Sequence, residues 1–234
     1  MKVAVISDIH GFSIALDRVL ADIDVVGVDR IIAAGDLCEG GPDPAGVLDR
    51  LQDRGIEAVQ GNTDRDLAAE SRTSKPARWV IQQLGPDGLA TLRDLPFELR
   101  ITPPGGHSPK DDLLVVHANP VDQDRALDPE ASKREIEEIL GDVEAAILAF
   151  AHIHISYIRE VNGLTLVDVS AVGNPKDGRL VSRWGLFTWD EQEGRWLAEI
   201  RYVDYPLDET EAQVRESGMP NPDKVLAKLK RASY

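Results

Sequence analysis

Five short polar clusters hold the residue types that metal chemistry needs: Asp8-Ile9-His10, Gly35-Asp36, Gly61-Asn62, His117 and His152-Ile153-His154. Four of the chain's five histidines fall in them. On an extended chain, residues i and i+2 project to the same side, so Asp-x-His or His-x-His can grip one cation. Taken singly, each cluster has a plainer explanation. Asp-x-His can be a capped helix start, Gly-Asp and Gly-Asn can be turns, and His117 can be a satisfied buried histidine. His152-Ile153-His154 is the strongest cue for a metal. Together, the four histidines with Asp8, Asp36 and Asn62 amount to a ligand set for two cations. One carboxylate must then bridge, and Asp36, after the strand expected to be central, is the natural candidate. The fifth histidine, His107, lies in Pro103-Pro104-Gly105-Gly106-His107-Ser108-Pro109 and reads as an exposed loop residue.

Every one of these clusters follows an expected strand. Val3 to Ser7 opens the chain as a buried strand. Phe12 to Val25 then carries apolar residues at helical spacing through Ile14, Leu16, Val19, Leu20 and Ile23. Arg30 to Ala34 is a second strand and Pro44 to Arg54 a helix, with Asp43 as its cap and Gly55 as its stop. Glu57 to Gln60 is a third strand. This β–α–β–α–β rhythm predicts a parallel sheet with crossover helices, and ligands in such sheets bind beyond the carboxyl ends of strands. Helices are expected over Asp64 to Ser71, Lys75 to Leu84, Gly88 to Asp94 and Pro129 to Leu140. Phe97 to Ile101, Leu113 to His117 and Ala146 to Phe150 read as strands. Asn162-Gly163 joins Tyr157 to Val161 and Leu164 to Val169 in a hairpin, and Trp184 to Trp189 pairs with Trp196 to Tyr205. The second half of the sheet system is therefore expected to be largely antiparallel. The tail, residues 206–234, reads as helical, and no linker or repeat divides residues 1–234, so one domain is expected.

Composition narrows the chemistry further. The single cysteine, Cys38, excludes an internal disulfide and a four-cysteine zinc site. Any metal must use His, Asp, Asn, Glu and water, which suits Mn, Fe, Ni, Co or Zn. The formal net charge of −15 repels nucleic-acid backbones, so no nucleic-acid partner is expected. No apolar run approaches the ~20 residues of a membrane span, and the N-terminus does not read as a signal peptide. No membrane partner and a cytoplasmic location are the expectations.

The order Asp-x-His, Gly-Asp, Gly-Asn, His, His-x-His resembles the calcineurin-like metallophosphoesterase family over Lys2 to about Asp190. Gly35-Asp36-Leu37 through Gly41-Pro42-Asp43-Pro44, Gly61-Asn62-Thr63-Asp64, and Val169-Ser170-Ala171-Val172-Gly173-Asn174-Pro175 resemble its small bacterial and archaeal, phosphodiesterase-like branch. The resemblance implies an α/β fold, a four-layer α/β/β/α sandwich with mixed sheets and a dinuclear centre at its edge. It implies that Asp8, His10, Asp36 and His154 hold one divalent ion. Asp36, Asn62, His117 and His152 would hold the other, with a shared water or hydroxide between. Manganese is favoured, with Fe, Ni, Co or Zn as alternatives. The implied activity is hydrolysis of a small-molecule phosphodiester or phosphomonoester. Asp36, Asn62, Thr63 and Asp64 are the expected catalytic residues, and Arg65 an expected substrate contact.

The sequence departs from the family pattern after Gly61-Asn62. Many relatives carry a histidine there, serving the leaving group, whereas this chain has Thr63, which cannot act as a general acid near neutral pH. Protein phosphatases and dinucleoside-polyphosphate hydrolases usually show that histidine and an Arg-Gly after the second motif, so both rank lower. A non-catalytic metal-binding scaffold of the same fold is the alternative from another class. Cys38 reads as packing and Glu39 as a residue beside the metal loop. The tail is a candidate for packing on the sandwich or for a homo-oligomer contact.

Overall fold

The structure, a computed structural model, describes residues 1–233. Two five-stranded sheets lie at its centre. The first has the order β10-β9-β1-β2-β3, built from β1 (Lys2–Ile6), β2 (Arg30–Ala33), β3 (Glu57–Ala58), β9 (Val181–Asp190) and β10 (Arg195–Asp204). The second has the order β4-β5-β6-β8-β7, from β4 (Glu98–Ile101), β5 (Leu113–Val116), β6 (Ile147–Phe150), β7 (Tyr157–Val161) and β8 (Leu164–Asp168).

Side-chain parity along the strands makes the layers. Val3 and Val5 of β1 point toward the second sheet, where they share one core with Leu113, Val115, Ile147, Ala149 and Val167. Ala4 and Ile6 point the other way, into a core with α1 (Ser13–Val26), α2 (Pro44–Asp53) and α4 (Lys75–Arg93). In β5 and β6 the alternate residues Leu114, Val116, Leu148 and Phe150 pack outward against Ile136, Ile139 and Leu140 of α5 (Lys133–Leu140). Strands buried on both faces read as continuous apolar runs, which is what β5 (LLVV) and β6 (ILAF) are. The result is the four-layer α/β/β/α sandwich.

Several elements differ from the sequence reading, each for a local reason. The β1–β2–β3 pairs are parallel, as the crossover pattern requires, but β1 rather than β2 is the central strand because β9 joins its other side antiparallel. The second sheet is mixed: β5–β6 and β6–β8 are parallel, and β4–β5 and β7–β8 antiparallel. Helix α5 starts at Lys133 rather than near Pro129, because Ser132 and Glu135 cap each other reciprocally. Strand β9 starts at Val181, ahead of its first tryptophan. Its early polar residues are buried and bonded, Ser182 Oγ donating to the Val172 carbonyl at 2.7 Å and Arg183 pairing with Asp177. The element α4 holds two helical stretches, broken at Gly85 (φ 60°, ψ −174°) with Pro86 opening the second. Helix α3 (Asn62–Ala68) begins directly on a candidate ligand, and α6 (Leu207–Glu216) and α7 (Pro222–Arg231) form the tail. No helix among the described residues is long and apolar enough to cross a membrane.

Leu148 is fully buried between β6 and α5. Leu148→Ala is expected to lower stability by about 2–5 kcal/mol, the cost of an unfilled core site, measured by urea denaturation.

Candidate metal centre

The carboxyl ends of β1, β2, β3, β5 and β6 open onto one edge of the sandwich, and the five polar clusters meet there. The loops stay laced to one another beyond the sheets. Asp8 N–H donates to the Gly35 carbonyl (3.1 Å), His10 N–H to Asp36 (2.9 Å) and Gly11 N–H to Leu37 (2.8 Å). In the second sheet Ala151 N–H donates to the His117 carbonyl at 2.9 Å. The sheets are joined by His152 N–H, which donates to Asp8 Oδ2 at 3.1 Å.

Three backbone carbonyls orient three imidazoles. His10 Nδ1 lies 2.7 Å from the Glu39 carbonyl, His117 Nδ1 2.8 Å from Ala34, and His154 Nδ1 2.8 Å from Asn174. A carbonyl only accepts, so each Nδ1 carries the hydrogen, and the neutral ring offers an Nε2 lone pair. Those lone pairs converge. His154 Nε2 and His10 Nε2 sit 3.0 and 3.3 Å from Asp8 Oδ1, and 3.3 Å from each other. His117 Nε2 is 3.1 Å from Asn62 Oδ1 and 3.2 Å from His152 Nδ1. Asp36 spans the two groups, with Oδ2 3.6 Å from His10 Nε2 and Oδ1 3.5 Å from His117 Nε2.

Acceptors facing acceptors at this range repel unless positive charge lies between them. Asp8 Oδ1 is buried with no hydrogen-bond partner among the described residues. The ligand atoms of Asp8, His10 and His154 lie within 4.8 Å of one another, as do those of Asp8, Asp36 and His117. The donor set therefore fits divalent cations with mixed N/O preference. Protonation follows the same electrostatics. Burial would lower His10 and His117, but Asp8 and Asp36 outweigh it and raise both. Burial would raise Asp8, but the neighbouring His154 and His10 hold it well below the usual carboxylate range. His152, more open to solvent, is lowered by burial and by His117.

The glycines of the second and third clusters are steric requirements. A Cβ on Gly61 would lie 2.2 Å from Asp36 Oδ1, and one on Gly35, at φ 88°, would lie 2.6 Å from the Gly61 nitrogen. The Gly-Asp and Gly-Asn turns thus press together so closely that Thr63 N–H reaches Asp36 Oδ1 at 2.9 Å.

Two expected site residues have partners that the sequence did not suggest. Asp64 is fully buried, and its carboxylate accepts from Asp36 N–H (2.8 Å), Leu37 N–H (2.9 Å) and Gly61 N–H (3.0 Å). It is a positioning residue for the two turns, not one that faces a substrate. Burial and the adjacent Asp36 charge push its carboxyl up to about 6. Arg65, an expected substrate contact, is engaged in ion pairs. Its guanidinium is shared between Asp66 (2.8 Å) and Asp124 (2.9 Å). Thr63 Oγ1 is buried without a partner among the described residues. His107 is exposed, and Cys38 is buried in the core, as the sequence suggests. Glu39 acts through its carbonyl on His10, while its side chain pairs with Arg72 at 2.9 Å. The orienting carbonyls of Ala34, Glu39 and Asn174 had no sequence signal, because every residue carries one.

Behind the cluster, Asp168 ends β8 fully buried. One carboxylate oxygen accepts from Ser170 N–H at 2.7 Å and the other has no partner among the described residues.

Comparison with known proteins places this geometry. Residues 1–187 match the calcineurin-like phosphoesterase superfamily domain. The symmetrical bis(5'-nucleosyl)-tetraphosphatase of Acidovorax sp. (strain JS42) is 35% identical over 156 residues, covering 62% of this chain and 54% of that protein. The matched region is thus about half the length of that relative. A metallophosphoesterase from Sphaerobacter thermophilus superposes with TM-score 0.77 at 21% identity, covering 99% of each chain. A hypothetical protein from Pyrococcus horikoshii OT3 superposes with TM-score 0.84 at 18% identity, covering 99% of this chain and 98% of that one.

Two measurements check this site. Gly61→Ala is expected to displace the Asp36 carboxylate and weaken metal binding at least ~10-fold, the scale on which groups supporting ligands act, by metal titration of folded variant. Burial, followed by the Asp8 charge, raises Asp168 well above 3.8. The folded state thus holds this proton more tightly than the unfolded chain, and wild-type stability declines as pH rises from about 4 toward the folded value. Asp168→Asn removes that slope, so its melting temperature relative to wild type is expected to rise between pH 4 and 7. A flat difference would refute the protonation assignment.

Proposed function

Because this chain belongs to the calcineurin-like phosphoesterase superfamily, we propose that it hydrolyses phosphoesters at two divalent cations. Asp8, His10, Asp36 and His154 would hold one, and Asp36, Asn62, His117 and His152 the other. The observation that carries this reading is the Asp36 carboxylate, one oxygen turned to each group of lone pairs. Bound there, the cations would neutralise phosphate oxygens and lower the pKa of a water between them.

The chain's own residues supply the rest. The Glu39, Ala34 and Asn174 carbonyls keep three rings in the tautomer that presents Nε2, so no ring need turn on binding. Asp64 fixes the bridging turn through three N–H bonds. Asn62 and His152 are the ligands with open surface, so a phosphate at the centre stays open to solvent on their side. Thr63 stands beside them with a hydroxyl but no acid–base capacity near neutral pH. The reaction is therefore suited to good leaving groups, such as aryl oxides or phosphates. That preference, with the likeness to a relative named a bis(5'-nucleosyl)-tetraphosphatase, supports a second reading in which the substrate is a nucleotide phosphoanhydride. Manganese is the favoured ion, with Fe, Ni, Co or Zn as alternatives. A small phosphoester substrate, with neither nucleic acid nor membrane as partner, fits the charge of −15. The presence of all seven ligands argues against a non-catalytic scaffold.

Turnover of bis(p-nitrophenyl) phosphate by Mn-loaded protein tests the proposal. Asp36→Asn is expected to lower the rate at least ~100-fold, since even groups that only support ligands cost 10–100-fold, and to weaken both metals. His107→Ala is expected to change the rate less than about twofold, as an exposed loop residue should. Metal binding without turnover across Mn, Ni, Co, Zn and Fe would establish the scaffold instead.

A further inference from the structure

A largely apolar cavity of about 240 Å³ opens beside the metal centre, between α4, α7 and the Asn174–Lys176 loop. Its apolar wall includes Phe12, Trp79 and Val225, and its rim carries Lys176, Lys224 and Lys228. It adjoins the His10–His154 end of the donor cluster. Gly40 lines it, and a Cβ there would lie 3.9 Å from His10 Nδ1. Asn174 lines it too, and its carbonyl receives the His154 Nδ1–H. Much of the wall comes from residues beyond 187, outside the span that matches the superfamily domain.

Three features describe what would fit. The volume is below the ~300–1,000 Å³ of sites for drug-sized ligands, so a single ring system suffices to fill it. Trp79, half-buried, offers an aromatic surface on which a flat ring stacks. The lysines concentrate positive charge in a chain of net charge −15 that has only eight lysines in all. Lys224 and Lys228 are in no ion pair among the described residues. Lys176 lines the cavity two residues from Asn174, and burial followed by the nearby Lys228 charge holds its ammonium below the usual lysine range. The Asn174 side-chain oxygen is buried with no partner among the described residues, an acceptor suited to an N–H of a base, such as an exocyclic amino group.

We propose that this cavity binds the base of a nucleotide-type substrate, whose phosphate passes the lysines to reach the metal centre. The proposal rests on the phosphoesterase reading above and names its substrate class.

Adenosine 5'-monophosphate and ribose 5-phosphate, which differ only by the base, provide the test. Each is titrated into Mn-loaded protein and followed by quenching of tryptophan fluorescence. The nucleotide is expected to bind at least about tenfold more tightly, the factor that stacking on one aromatic ring supports. Val225→Trp, which fills the cavity, is expected to bring the two affinities together. Lys228→Glu, at an exposed position that leaves folding intact, is expected to weaken the nucleotide at least about threefold, the scale of one close charge reversal near a surface. Equal affinities in wild type, an undiminished ratio in folded Val225→Trp, or unchanged nucleotide affinity in Lys228→Glu would each overturn the assignment. The readout is affinity, so it stays decisive even if the turnover tests fail, and the two proposals fall separately.

Discussion

Electron pairs crowded together without hydrogens between them are the constraint around which this molecule is organised. Each of His10, His117 and His154 gives its only ring hydrogen to a main-chain oxygen. What remains points inward, toward the Asp8 and Asp36 carboxylates. A protein interior does not ordinarily tolerate such an arrangement, because unpaired buried acceptors cost free energy. The arrangement suits a positive charge between the lone pairs, and the raised His10 and His117 express the same demand in protons.

Holding that arrangement requires backbone that is itself unfavourable. Asp8, His10, Asp36, His152 and His154 all have φ between 48° and 77°, a region L-residues rarely occupy. Such conformations cost about 1–3 kcal/mol each and persist where the surroundings over-determine them. Here the surroundings are two packed sheets, whose central strands are buried, and the bonds that lace the loops together. The rigid β1 and β6, central in their sheets, carry the two paired motifs, Asp8/His10 and His152/His154. Asp64 does the same for the Asp36 and Gly61 turns from beneath.

Much of this was legible in the sequence for physical reasons. Ligands fall at strand ends because parallel sheets open there, and strand runs such as LLVV are apolar throughout because both faces are covered. The Asn162-Gly163 hairpin and the break before Pro86 announce themselves through backbone chemistry. What stayed hidden depends on partners distant in sequence. That β9 sits beside β1 is a pairing across some 180 positions, with no local signature. The Asp124 that lies against Arg65 and the backbone donors that meet Asp64 from the second turn are likewise contacts no local pattern announces. The cavity by Trp79 could not be foreseen, since its walls come from five stretches of chain that only the fold assembles.

The bond from His152 N–H to Asp8, with His154 lying against the same carboxylate, means that ligands from both halves of the sandwich meet at one point. An ion seated among Asp8, His10 and His154 would act as a rivet through the two layers. Its binding energy would then belong partly to the fold, because the unfolded chain offers no such seat. Under metal limitation, the population that keeps its layers in register would shrink along with the population able to react, so supply of the ion would govern the lifetime of the protein as well as its chemistry.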